Sequence, residues 1–138
     1  MTQQNILFAF LIIITTLFIT SCEKDTTDLT DITRYHWEVI KIKQPGASSY
    51  SRAEGSYVLE FGDTFYKINL DVNDCRGAYE ILSDKKINIA GSFCTKVCCD
   101  TDFAKKLISL LPGITSYHRK QNKLLLGGGG GEIILKKF

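Results

Sequence analysis

Apolar positions along the 138-residue chain fall into two regimes. The first is a solid block, Ile6 to Ile19, apolar apart from Thr15 and Thr16. Its length matches the apolar core of an export signal and falls short of the ~20 residues a membrane-spanning helix needs. From Tyr35 onward apolar and polar positions alternate instead. Tyr66, Ile68, Leu70 and Val72 face one way, and Lys67, Asn69, Asp71 and Asn73 the other, which predicts a half-buried antiparallel strand. Tyr35–Ile42 and Tyr57–Phe61 read as two earlier strands. In the first, Trp37 and Val39 share a face while Ile40 and Ile42 take the other, a break that predicts a bulge. Gln44–Gly55, with Pro45-Gly46 and several serines, reads as a loop, and Asn73–Gly77 as a turn. Ala78–Leu82 and Lys86–Ala90 then form a hairpin around Ser83-Asp84-Lys85.

One segment changes period. Phe103, Leu107, Leu110 and Leu111 fall at helical spacing behind a cap at Asp100 or Thr101, and Pro112-Gly113 ends the run. Strands return at Ile114–Arg119, Lys123–Leu126 and Glu132–Phe138. Gly127–Gly131 lacks the Lys-Ser/Thr of a phosphate loop and precedes a strand where that motif needs a helix, so it reads as a flexible hairpin connection. The pattern is mainly β, with one α-helix between Asp100 and Leu111.

Cysteines add the main chemistry. The apolar block ends in Ile19-Thr20-Ser21-Cys22, which resembles the bacterial lipobox, where a cysteine receives lipid before the signal is cut away in front of it. The resemblance implies a signal peptide over 1–21, lipidation with palmitate-like acyl chains at Cys22, and a polar tether over 22–31 ahead of a folded domain at 32–138. No basic residue precedes the block. Several acyl chains on one cysteine would hold the protein on a membrane stably. Glu23 follows the cysteine, so the expected address is the outer membrane, on its periplasmic face or at the cell surface.

An exported domain permits disulfides. Four cysteines remain: Cys75, Cys94, Cys98 and Cys99. A bridge between the neighbours Cys98 and Cys99 would close a small strained ring. If all four pair, two connectivities are left: Cys75–Cys99 with Cys94–Cys98, or Cys75–Cys98 with Cys94–Cys99. Either ties Cys75 to the later pair, a closure expected to stabilise by roughly 3 kcal/mol. Cys94-x-x-x-Cys98-Cys99 lacks the C-x-x-C spacing of a redox site. His36 and His118 lie far off in strand-like segments, so no metal site is expected.

The order of features resembles the META domain, the fold of HslJ-type heat-shock lipoproteins. Trp37 stands in the first strand. Asp74-Cys75-Arg76-Gly77-Ala78-Tyr79 corresponds to the family's Gly-Cys-Asn-x-x-x-Gly-x-Tyr turn, and Thr95-Lys96-Val97-Cys98-Cys99 to its Thr-x-Met-x-Cys. Here Asp74 replaces the glycine, Arg76 replaces the asparagine, and the turn is shorter. The resemblance implies a small antiparallel barrel-like sheet of about eight strands with one helix, in an envelope protein of unassigned biochemistry. It places Cys99 as the family cysteine, which favours Cys75–Cys99 and leaves Cys94–Cys98 as an added bridge.

Charge and composition narrow the function. Seventeen basic and fifteen acidic residues nearly cancel, with no clustered basic face for nucleic acid. No serine–histidine–acid set is present, and two isolated histidines argue against general-base catalysis. The sequence therefore reads as a non-enzymatic envelope module without catalytic residues or cofactor, bound to the membrane through Cys22 and to an envelope partner. Two alternatives remain: a lipocalin-like carrier with a ligand inside a closed sheet, and a thiol- or metal-binding protein built on Cys94–Cys99.

Overall fold

A computed structural model of the chain describes residues 32–83 and 85–138. The apolar segment, Cys22 and the polar tether lie outside the described residues, as does Asp84 in the predicted hairpin turn. The described residues form ten strands in order: β1 (His36–Lys43), β2 (Ser51–Arg52), β3 (Val58–Phe61), β4 (Phe65–Asn69), β5 (Asp74–Ser83), β6 (Lys86–Ile89), β7 (Phe93–Cys94), β8 (Ser116–Lys120), β9 (Lys123–Gly128) and β10 (Gly131–Lys137). Among the described residues a single helix, α1 (Asp102–Leu110), sits between β7 and β8 and runs into a 3-10 turn at Leu111–Gly113.

Eight strands close into an antiparallel barrel, in the order β1-β3-β4-β5-β6-β8-β9-β10 and back to β1. Closure removes the exposed edges of an open sheet. The shortest seam is β6–β8. There Lys86 opposes Ser116, flanked by backbone bonds from Ile87 N to Thr115 O (3.2 Å) and Tyr117 N to Lys85 O (3.0 Å). The two-residue strands β2 and β7 lie alongside β1 and β5. The predicted eight-stranded barrel-like sheet with one helix is the observed fold.

Alternation along the strands fills the interior. Trp37, Val39 and Ile42 from β1, Leu59 and Phe61 from β3, and Tyr66 and Ile68 from β4 are all buried. Leu124, Leu126, Ile133 and Leu135 close the other side. The Trp37 indole N–H donates to the Ile32 carbonyl at 2.8 Å, so the largest core side chain also fixes how the chain enters β1. Helix α1 starts at Thr101, whose hydroxyl accepts from Ala104 N at 3.2 Å. It buries Phe103, Ala104, Leu107 and Leu110, and Phe103 stacks on Tyr57 with ring centroids 5.1 Å apart.

The bulge falls where the pattern broke. Pairing of β1 with β10 slips between Val39 and Lys41, and the slip returns Ile42 to the inner face. Three other expectations change. Strand β2 occupies part of the expected loop, pairing Ser51 and Arg52 with Ile42 and Lys41. β4 ends at Asn69 rather than Asn73, because the chain turns at once, with Leu70 N donating to Asn73 O at 2.8 Å. The expected turn at Asn73–Gly77 is instead the start of the ten-residue β5.

The glycine run forms a hairpin, but packing explains its composition better than slack does. Gly127 and Gly128 end β9, and Gly131 opens β10 at φ +112°, where an added Cβ would overlap the Lys43 carbonyl oxygen. Gly130 N donates to Gly113 O at 3.3 Å, which docks the hairpin on the end of the helical segment.

Candidate functional site

The turn between β4 and β5 and the segment from Cys94 to Thr101 grip each other through side chains that alternation alone would send to solvent. Asn73, 6% exposed, is the centre. Its amide nitrogen donates to Val97 O (2.7 Å) and to an Asp100 carboxylate oxygen (2.5 Å). Its oxygen accepts from the Thr95 hydroxyl (2.7 Å) and Val97 N (2.9 Å). A side-chain amide with both ends used in this way acts as a peptide surrogate, tying one loop to another.

Two carboxylates extend the grip. Asp100 accepts from Val72 N at 3.1 Å. Asp71 accepts from Thr101 N (3.0 Å), the Thr101 hydroxyl (2.7 Å) and the Tyr57 hydroxyl (2.8 Å). Burial alone would raise the Asp71 pKa, yet these hydrogen bonds outweigh it and hold the carboxyl below its ordinary value. The same Thr101 hydroxyl caps α1, so the turn sets where the helix begins.

Beside this grip lies the disulfide. β7 runs antiparallel to β5 with Cys94 directly opposite Cys75, Cα atoms 4.0 Å apart, and the two sulfurs are bonded. Cys98 and Cys99 are free and exposed. This corrects both expected connectivities, Cys75–Cys99 with Cys94–Cys98 and Cys75–Cys98 with Cys94–Cys99. Their shared premise was that all four cysteines pair. The β5–β7 register takes Cys75 and Cys94 first, and the bonds from Asn73 to Val97 and Asp100 hold the stretch between them so that Cys98 and Cys99 face solvent. Cys99 sits at φ +88°. The adjacent Cys98 thiol and some burial raise the Cys99 thiol pKa, Lys105 draws it down, and the Asp100 charge adds to the rise.

Next to the disulfide, a hollow of about 510 Å³ opens on the surface between Phe65, Tyr66, Cys75, Phe93 and Cys94, with Lys67, Asp74 and Arg76 at its polar margin. Phe65 and Phe93 stand 61% and 82% exposed. Under it, Tyr66 turns inward, its hydroxyl hydrogen-bonded to Ser92 Oγ (2.6 Å) and Ala90 O (3.1 Å). Its ring needs Gly77: a Cβ there would lie 2.6 Å from the Tyr66 hydroxyl and 2.7 Å from Gly91 O. The Gly-x-Tyr spacing thus gives room at Gly77 and a wall at Tyr79, which packs edge-on to Phe61 and donates to the Gly62 carbonyl.

Sequence reasoning found the cysteines, offered Asp100 only as a helix cap (the cap is Thr101), and placed Asp71 and Asn73 on the polar face of a strand. The available signal was the run of Asx residues, Asp71-x-Asn73-Asp74, directly before a cysteine, since such side chains bond to backbone readily. His36 and His118 stay apart on β1 and β8. Among the described residues no three His, Cys, Asp or Glu side chains converge as a metal site, and no helix is long and apolar enough to cross a membrane.

A closed, filled eight-stranded antiparallel barrel with one helix, braced by a cysteine in its fifth strand, defines a class of small β domain. A family model of the META domain matches residues 30–137, and the chain belongs to the META domain family. Among solved structures, the crystal structure of a DUF4847 family protein from Bacteroides vulgatus ATCC 8482 is similar. The TM-score is 0.57 at 14% sequence identity, covering 76% of this chain and 93% of that one. At that identity the likeness is one of fold. No curated protein matches the chain.

Proposed function

We propose that the protein is a non-enzymatic lipoprotein of the outer membrane, anchored through lipid on Cys22, which binds an envelope protein at the face around Phe65 and Phe93. The observation that carries this reading is the pair of exposed aromatic rings flanking an open hollow beside a rigid disulfide. Aromatic side chains held out in water on a braced surface are the usual anchors of protein interfaces. The barrel interior weighs against a carrier, because Trp37, Tyr57, Tyr66 and Tyr117 are each at most 2% exposed within it. The lipobox-like Ile19-Thr20-Ser21-Cys22 behind an apolar block supports the anchor.

Two experiments test it. In the native host, labelled palmitate should enter the wild-type chain and not the Cys22→Ser variant; equal labelling of both would remove the anchor. A photo-crosslinking residue at position 93 should capture one defined envelope protein, and Phe65→Ser should abolish the product. The same residue at Leu82, exposed at the far end of β5, is the control. An identical pattern from position 82 would refute a specific face.

A further inference from the structure

Among the described residues two thiols, Cys98 and Cys99, are used by neither the disulfide nor the hollow. Successive side chains on an extended strand point to opposite sides. At Cys98-Cys99 the chain breaks that rule: Cys99 takes φ +88°, outside the extended conformation that would send the two side chains to opposite sides. The peptide between them is not cis. The loop is held from behind by the Asn73 bonds to Val97 and Asp100, and Asp100 is further held by Val72 N, so the pair is carried on an anchored segment. Both thiols are exposed.

We infer that Cys98 and Cys99 form a chelating dithiol site for thiophilic trivalent metalloid ions, with arsenic as the representative ligand. Neighbouring sulfurs joined directly would close a small strained ring. Inserting one atom between them enlarges the ring and lets the sulfurs stay in contact without bonding. A soft ion with two free valences for thiolate fits that bite, whereas tetrahedral zinc needs a third and fourth ligand that the described residues do not gather. With an organoarsenic oxide the step balances without an oxidant. Each Sγ forms a bond to arsenic, both S–H protons pass to the oxide oxygen, the arsenic–oxygen bond breaks, and water leaves. This site is separate from the Phe65–Phe93 face, and its test does not depend on that reading.

The test uses phenylarsine oxide on the full chain purified in detergent, read by intact mass. The expected result is one adduct per chain that survives excess 2-mercaptoethanol and is released by 2,3-dimercaptopropanol. Cys98→Ser and Cys99→Ser should each weaken binding by about 10²–10⁴-fold, the range by which a second tethered contact raises affinity. Cys22→Ser should leave it unchanged. No monothiol-resistant adduct on the wild type, or an adduct undiminished in either single variant of the pair, would overturn the assignment. Unchanged thermal unfolding in both variants would show that loss of binding is not loss of fold.

Discussion

Replacing Asn73 by alanine removes four hydrogen bonds at once: to Val97 O, to Asp100, from Thr95 and from Val97 N. A neutral bond contributes about 0.5–1.5 kcal/mol net, and one to a charged group about 1.5–3 kcal/mol. The gross sum runs from about 3 to 7.5 kcal/mol. Val97 is 56% exposed, so its freed groups regain water, and the expected loss sits near the lower end, about 3 kcal/mol. For a domain of this size that lowers Tm by about 10–20 °C. Urea unfolding under non-reducing conditions, with the disulfide kept, gives the number directly. The midpoint should fall while the slope stays that of the wild type. Asn73→Asp keeps the shape but sets a carboxylate against Asp100, and should cost at least as much at neutral pH, recovering in part as the medium is acidified. A loss below about 0.5 kcal/mol, the range of an ordinary surface change, would refute the view that Asn73 joins the two loops.

Gly77→Ala should cost about 1–3 kcal/mol by forcing the Tyr66 ring from its place, whereas Gly129→Ala, where a Cβ meets nothing within 4 Å, should be near neutral; paired thermal melts check this. Cys75→Ser with Cys94→Ser, opening a closure of 19 residues, should lose about 3 kcal/mol, and a reductant should lower Tm in the wild type but not in this variant. Asp71 has its folded pKa held below the ordinary 3.8, so its stabilising effect is present above that value and is lost as pH falls through the lower folded pKa. Wild type and Asp71→Asn should therefore differ in Tm at neutral pH and converge in strong acid; a gap that widened in acid would contradict the sign.

Local pattern made the barrel legible. Alternation at Tyr66 and Ile68, the break at Ile40 and the helical stripe through Phe103 and Leu107 each correspond to an observed element, because each records which side chains meet the core. The polar grip was not legible in the same way. Asp71 and Asn73 keep the period of β4 although the strand ends at Asn69, and a polar residue facing water looks the same in sequence as one facing another loop. The cysteine pairing failed for a related reason. Spacing says which bridges are strained, but only the register of β5 against β7 says that Cys94 lies opposite Cys75. The glycines of the last hairpin look like freedom in the sequence, whereas Gly128, Gly130 and Gly131 record close approach to Gly113 and Lys43.

The most direct test of this arrangement is a non-reducing tryptic map after alkylation of free thiols. Cleavage at Lys67, Arg76, Lys86, Lys96 and Lys105 places Cys75 in peptide 68–76, Cys94 in 87–96, and Cys98 with Cys99 in 97–105. The account predicts 68–76 joined to 87–96, and 97–105 recovered alone with two alkyl groups. Recovery of 68–76 joined to 97–105 would contradict it, returning Cys98 or Cys99 to the structural bridge and removing the dithiol site.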